Sequence, residues 1–171
     1  MQNSRFDYSS LHIEPPSDLS CEITKWACEH VDDDDIYVSY QDFTYGREDE
    51  IHVTALFGIH SDNSSQIRTI IGRKPINVQL GEVRVFSNPF KFDVVNIQVF
   101  SQDLVDLNKL LVAQVPFTNK YKTYNPHLTI AYVKKGKGWK HNGLDLWKGR
   151  KFTSDYLIFS SKNGTKERIV L

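Results

Sequence analysis

The sequence predicts an α+β domain of two similar lobes, and three observations predict it. A strand–helix–loop–strand order reads twice along the 171 residues. Each half ends on a His-x-Thr that opens an apolar run, "HVTALFGI" at His52 and "HLTIAYV" at His127. No Gly/Ser/Pro-rich linker separates the halves, so residues 1–171 are expected to pack as a single unit with one shared core.

The elements follow in order. "DYSSLHIEPP" (Asp7–Pro16) reads as a strand stopped by two prolines. Ser17 or Asp18 then caps a helix to about Val31, because Ile23, Trp26, Ala27 and His30 recur at helical spacing. Cys21 and Cys28 share that helix, too far apart for a disulfide, and are expected as buried thiols. "DDDD" (Asp32–Asp35) ends it as a solvated acidic loop. An irregular, aromatic-rich approach, Tyr37–Glu50, leads to the first motif strand. Ser64–Gly72 reads as a short helix with Gly at its end. Two long strands follow, Ile76–Asn88 and Phe90–Ser101, turned by "SNPF". A helix from about Asp103 to Gln114 carries Leu104, Leu107, Leu110 and Leu111 on one face. The second motif strand starts near His127. The C-terminal stretch from Lys151 reads as a hairpin turning at Asn163-Gly164.

Composition narrows the function classes. Apolar residues make up 40% and charged residues 25%, ordinary for a globular protein. No run of 18 apolar residues is present, and the N-terminus lacks a signal-peptide pattern, so a cytoplasmic protein without membrane contact is expected. No zinc-ligand spacing occurs, so neither metal nor cofactor is expected. Net charge is zero, but residues 1–90 hold 7 Lys/Arg against 15 Asp/Glu, and residues 91–171 hold 14 against 6. That asymmetry predicts a face suited to an anionic ligand, while the zero total argues against a binder of long duplexes.

The chemistry lies in the two motifs. Residues i and i+2 of a strand share a face, so His52 projects with Thr54 and His127 with Thr129, while Val53 and Leu128 turn into packing. Side by side, the strands supply two imidazoles that titrate near neutrality and two hydroxyl donors. One His can take a proton from water or a ribose 2′-OH and the other can protonate a leaving oxygen. The threonines are suited to the phosphoryl oxygens between them. Such a site suits phosphodiester cleavage without a metal.

"HVTA" and "HLTI" resemble the paired signature of the 2H phosphoesterase superfamily, which includes the 2′-5′ RNA ligase-like proteins and cyclic phosphodiesterases. "YGREDEIHVTALFGIH" and "FSSKNGTKERIVL" are similar to a subset common in bacteriophages and bacteria. The resemblance implies a bilobal, pseudo-symmetric α+β cleft with His52, Thr54, His127 and Thr129 as catalytic residues. It also implies hydrolysis of cyclic nucleotide or cyclic oligonucleotide phosphodiesters, including the bacterial immune signals that phage anti-CBASS phosphodiesterases degrade in the host cytoplasm. RNA-end or 2′-5′ processing of short RNA is the first alternative, and sequestering of a nucleotide without cleavage is the second.

Six further residues are candidates for substrate binding. Tyr8 lies on the first strand, which borders the site in that superfamily. Tyr45 and Tyr124, with Tyr121, enter the motif strands. Trp139 sits among Lys134, Lys135, Lys137 and Lys140, an interleaving suited to base and phosphates. Arg47 is a candidate phosphate contact, or a partner of Glu48, Asp49 or Glu50. Asp155 is placed to accept from a base edge. His12, His30, His60 and His141 have no such partner pattern and are expected in structural or solvent roles. No obligate protein partner is evident.

Overall fold

The computed structural model describes residues 6–39, 45–89, 91–119, 121 and 123–171. One eight-stranded antiparallel sheet organises them. The strands are β1 (Ser9–Ile13), β2 (Val53–Ile59), β3 (Ile76–Ser87), β4 (Phe92–Phe100), β5 (His127–Lys134), β6 (Lys151–Ser154), β7 (Tyr156–Ser160) and β8 (Lys166–Val170). Their spatial order is β6-β3-β4-β5-β2-β1-β7-β8. A pseudo-twofold axis therefore runs between β5 and β2, with four strands on either side. Among the described residues the one registered pair across it is Val53 with Leu128, the middle residues of the two motifs.

Helices cover one face. α1 (Ser17–His30) buries Leu19, Ile23 and Ala27; α2 (Ser65–Ile70) buries Ile67; α3 (Gln102–Gln114) buries Leu104 and Leu111. Ser101 caps α3 by accepting from the Leu104 amide at 3.2 Å. α1, which follows β1 of the first lobe, packs on β5 of the second, and α3 packs on β2. The helices thus cross the axis and tie the lobes through one core, whose central residues include Val53, Leu128, Ile130 and Leu11. The motif residues face away from that core.

Several sequence expectations need correction. Cys21 and Cys28 are both exposed, because α1 buries the stripe through Leu19, Ile23 and Ala27 and neither thiol lies on it. Among the described residues no side chain caps α1, and Pro16 holds the N-cap position. Leu110 is 39% exposed, on the edge of the α3 apolar stripe. The acidic run forms a 3-10 turn, Asp33–Asp35, with Asp35 buried. The C-terminal stretch divides: β6 edges the second lobe, whereas the β7–β8 hairpin completes the first, turning over residues 161–165 with Gly164 at φ 87°. Residues 40–44 of the expected aromatic approach and Phe90, the expected start of the second long strand, lie outside the described residues.

Candidate active site

The Val53–Leu128 pair fixes the site geometry. In an antiparallel ladder that register sets His52 opposite Thr129 and Thr54 opposite His127, all four on the face opposite the buried Val53 and Leu128. Directly opposed side chains have Cβ atoms about 5 Å apart and diagonal ones about 7–8 Å, so the two imidazoles flank a space of phosphate size.

Both imidazoles are anchored in the same way. His52 Nδ1–H donates to the Glu50 carbonyl at 2.6 Å, and His127 Nδ1–H donates to the Asn125 carbonyl at 2.8 Å. In each case the acceptor lies two residues upstream. The bond fixes the tautomer and leaves Nε2 to meet a ligand. Burial holds the His127 pKa below its ordinary value, helped by His52 and opposed by the bond to Asn125. The Phe86 ring meets His127 edge-on at 5.0 Å between centroids.

A supporting layer surrounds these four residues. His12 pairs with Thr54 across β1–β2, and Asn96 pairs with Thr129 across β4–β5. Each lobe therefore backs its motif threonine with a buried polar residue at the equivalent position. The His12 ring lies 4.8 Å from that of His52, and burial, then His52 and Lys166, push its pKa down to about 3. His12 is thus part of the site, not a bystander. Asn96 is fully buried; its amide Nδ2 donates to the Val94 carbonyl at 3.1 Å, while its Oδ1 has no partner among the described residues. The Tyr132 hydroxyl lies within hydrogen-bonding reach of Thr129, and burial, with Glu48 nearby, pushes its pKa up to about 12. Burial also raises the Glu48 carboxyl, against the opposing charge of His52.

Sequence reading missed His12, Asn96, Glu48, Tyr132 and Phe86. Asn96 carried a signal, an amide inside the apolar run "VVNIQV", which also holds Gln98. His12 shows none, because its neighbour is His52, 40 positions away in the sequence.

The structure separates the six proposed binding residues. Tyr45, with φ 81°, contacts Tyr132 at 4.9 Å and Phe92 at 5.0 Å, in an aromatic group that reaches Thr129 through Tyr132. Tyr45 borders the site. Tyr124 is half-buried and donates to the Thr54 carbonyl at 2.8 Å, so it ties the approach to β5 onto β2. Arg47 turns to the helix face, where Nε donates to the Ala27 carbonyl at 3.2 Å and the guanidinium also reaches the Val31 carbonyl and Asp33. It holds the C-terminus of α1, where the last carbonyls attract a cation. Tyr8 contacts Phe57 and stacks on His60 at the opposite end of β1 from the His12–His52 contact. Trp139 opens a 3-10 turn that follows β5, whose last residue, Lys134, lies about 23 Å along the strand from His127. Its lysines are engaged elsewhere: Lys137 and Lys140 pair with Asp35, Lys140 also with Asp32, and Lys134 and Lys135 donate to backbone carbonyls. Asp155, the single residue between β6 and β7, faces Arg168 at 3.5 Å.

A curved antiparallel sheet with two facing His-x-Thr strands at its centre defines a class of phosphoester-handling proteins. The family model described as "2′-5′ RNA ligase superfamily" matches residues 15–141, and the chain belongs to that superfamily, the 2H phosphoesterases, whose members act on phosphodiester bonds. Three solved structures are similar in fold. The Thermus thermophilus protein TT0787 has a TM-score of 0.63 at 14% identity, covering 96% of this chain and 94% of that one. E. coli LigT, complexed with NADP+, has a TM-score of 0.58 at 13% identity, covering 96% and 95%. Kluyveromyces marxianus Usb1, with uridine monophosphate, has a TM-score of 0.57 at 11% identity, covering 99% and 100%. No curated protein matches by sequence. Among the described residues no helix is long and apolar enough to cross a membrane.

Proposed function

We propose that the protein is a phosphodiesterase that cleaves cyclic nucleotide or cyclic oligonucleotide bonds by two-histidine acid/base catalysis, without a metal. One observation carries this reading: the Val53–Leu128 register opposes His52 to Thr129 and His127 to Thr54, with each Nδ1 anchored and each Nε2 left for a ligand. Binding alone needs no second imidazole, and proton transfer in both directions does. LigT has been solved with NADP+ and with 3′-AMP, and Usb1 with uridine monophosphate, which supports a nucleotide ligand here.

Burial singles out one of the two imidazoles. His127 is kept neutral by burial, so it is the base, and its Nε2 takes the proton of the attacking water or ribose 2′-OH. The attacking oxygen bonds to phosphorus as the bond to the leaving oxygen breaks. His52, the imidazole of the facing strand, delivers the proton that the leaving oxygen needs. The Thr54 and Thr129 hydroxyls donate to the non-bridging oxygens, whose charge grows in the transition state. The sequence similarity to phage proteins extends the reading to the cyclic signals of bacterial anti-phage immunity as substrates, in the cytoplasm of the host cell.

The test is incubation with a substrate panel in excess EDTA, with products identified by mass spectrometry. The panel holds 2′,3′-cyclic mononucleotides, cyclic di- and trinucleotides, 2′-5′ oligoadenylate and a short RNA. Wild type is expected to cleave cyclic substrates. His52→Ala and His127→Ala are each expected to lose roughly 10²–10⁴-fold in kcat while keeping the wild-type melting temperature. Full activity in either variant removes the acid/base argument, and cleavage of RNA alone moves the protein to RNA processing.

A further inference from the structure

The motif face continues beyond His127 along the second lobe. Gln98 of β4 lies opposite His127, and Phe100 lies two residues further on the same face, about 8 Å from the histidine by strand spacing. Phe100 in turn pairs with Gln79 of β3, and Gln79 with Lys151 of β6. A cavity of about 650 Å³ opens there, lined by Gln79, Phe100, Gln102, Lys151 and Thr153 among others. That volume suits a nucleotide-sized group.

Three features distinguish this cavity from an ordinary sheet edge. Phe100 is 52% exposed, and among the described residues its ring pairs with no other aromatic. Gly81 makes that ring's position possible: a Cβ there would lie 2.8 Å from the ring and 3.0 Å from the Gln98 amide oxygen. Without a side chain at 81 the ring packs close over the Gly81 backbone and about half of Phe100 stays exposed. Lys151 is the third feature. Neighbouring Lys148 pairs with Glu82 and Arg150 with Glu22, whereas Lys151 has no ion pair among the described residues.

We infer that this cavity is a second nucleotide subsite: a base stacks on Phe100, the Gln79 amide meets its edge, and Lys151 faces the adjoining phosphate. The inference rests on the phosphodiesterase reading above and makes the substrate an oligonucleotide of at least two residues. A stacked base and an unpaired cation suit every base and both linear and cyclic backbones, so the subsite supplies affinity without selecting a sequence.

The experiment compares kcat/KM for wild type, Phe100→Ala and Lys151→Gln on a 2′,3′-cyclic mononucleotide, a linear dinucleotide, a cyclic dinucleotide and a cyclic trinucleotide. In Phe100→Ala the ratio of oligonucleotide to mononucleotide kcat/KM is expected to fall about tenfold or more, through KM. In Lys151→Gln the salt dependence of oligonucleotide KM is expected to flatten by about one phosphate contact. Ratios and salt slopes equal to wild type overturn the subsite. The cyclic and linear arms show which backbone it serves. If wild type cleaves nothing, calorimetric titration of the same dinucleotides into wild type and Phe100→Ala separates the two ideas. Phe100-dependent binding keeps the subsite and rejects the chemistry, and binding that is absent or indifferent to Phe100 rejects the subsite.

Discussion

At His127 the imidazole is desolvated, edged by Phe86 and tied through Nδ1 to a carbonyl. A base must be neutral to act, and burial lowers the pH at which this one loses its proton. The acid-side limb of the kcat/KM profile is therefore expected below pH 6.5, the ordinary value for His. A limb at or above that value in the free enzyme contradicts the assignment of His127 as base. His12 obeys the same physics with a different readout. Its folded pKa of about 3 lies below the unfolded value of 6.5, so the unfolded chain binds the extra proton. The stability contributed by neutral His12 is full above pH 6.5 and is lost as pH falls towards 3. By about pH 4 the loss is on the order of 3 kcal/mol. Urea unfolding of wild type and His12→Gln between about pH 4 and 7 checks this, and the variant is expected to show the flatter dependence.

β2 shows how an element delivers its motif. Gly58, at φ 86°, accepts from the Thr118 amide at 2.9 Å, and a Cβ there would meet the Thr118 carbonyl oxygen at 1.8 Å. His60 holds the same loop, through its amide to the Pro116 carbonyl at 3.1 Å and through Nε2 to the Thr118 hydroxyl at 2.8 Å. The segment that leads to His127 is thus docked on the end of the strand that begins beside His52. Gly58→Ala is expected to destabilise the fold by about 3 kcal/mol or more, through a left-handed backbone and a backbone clash that no side chain can relieve. Thermal melting tests this, and an unchanged melting temperature rejects the close approach. α1 is fastened in another way, with Arg47 over its last carbonyls.

Across the whole molecule the charge asymmetry of the sequence is largely neutralised internally. Cations of the C-terminal half pair with carboxylates of the N-terminal half: Lys140 with Asp32 and Asp35, Lys148 with Glu82, Arg150 with Glu22, Lys162 with Asp62 and Lys166 with Glu50. The expected anionic-ligand face is instead mostly a set of clasps. With α1 on β5 and α3 on β2, neither lobe keeps a separate core. Calorimetry is accordingly expected to show one cooperative transition, with calorimetric and van't Hoff enthalpies equal. Two resolved transitions mean that the lobes fold independently.

The periods of the chain were enough to read most strands and helices, the duplication and the four motif residues, because alternation and helical spacing are local and hydrophobic burial enforces them. Those same local rules are silent on which strands become neighbours. Only the folded sheet pairs Val53 with Leu128 and brings His12 against His52. It also turns Arg47 to the helix and carries Trp139 into a turn beyond the far end of β5, because long-range pairing, not local preference, sets where a side chain ends up. The amino-acid sequence alone determined the chemistry available to this protein, and packing across the pseudo-twofold axis decided which residues share it.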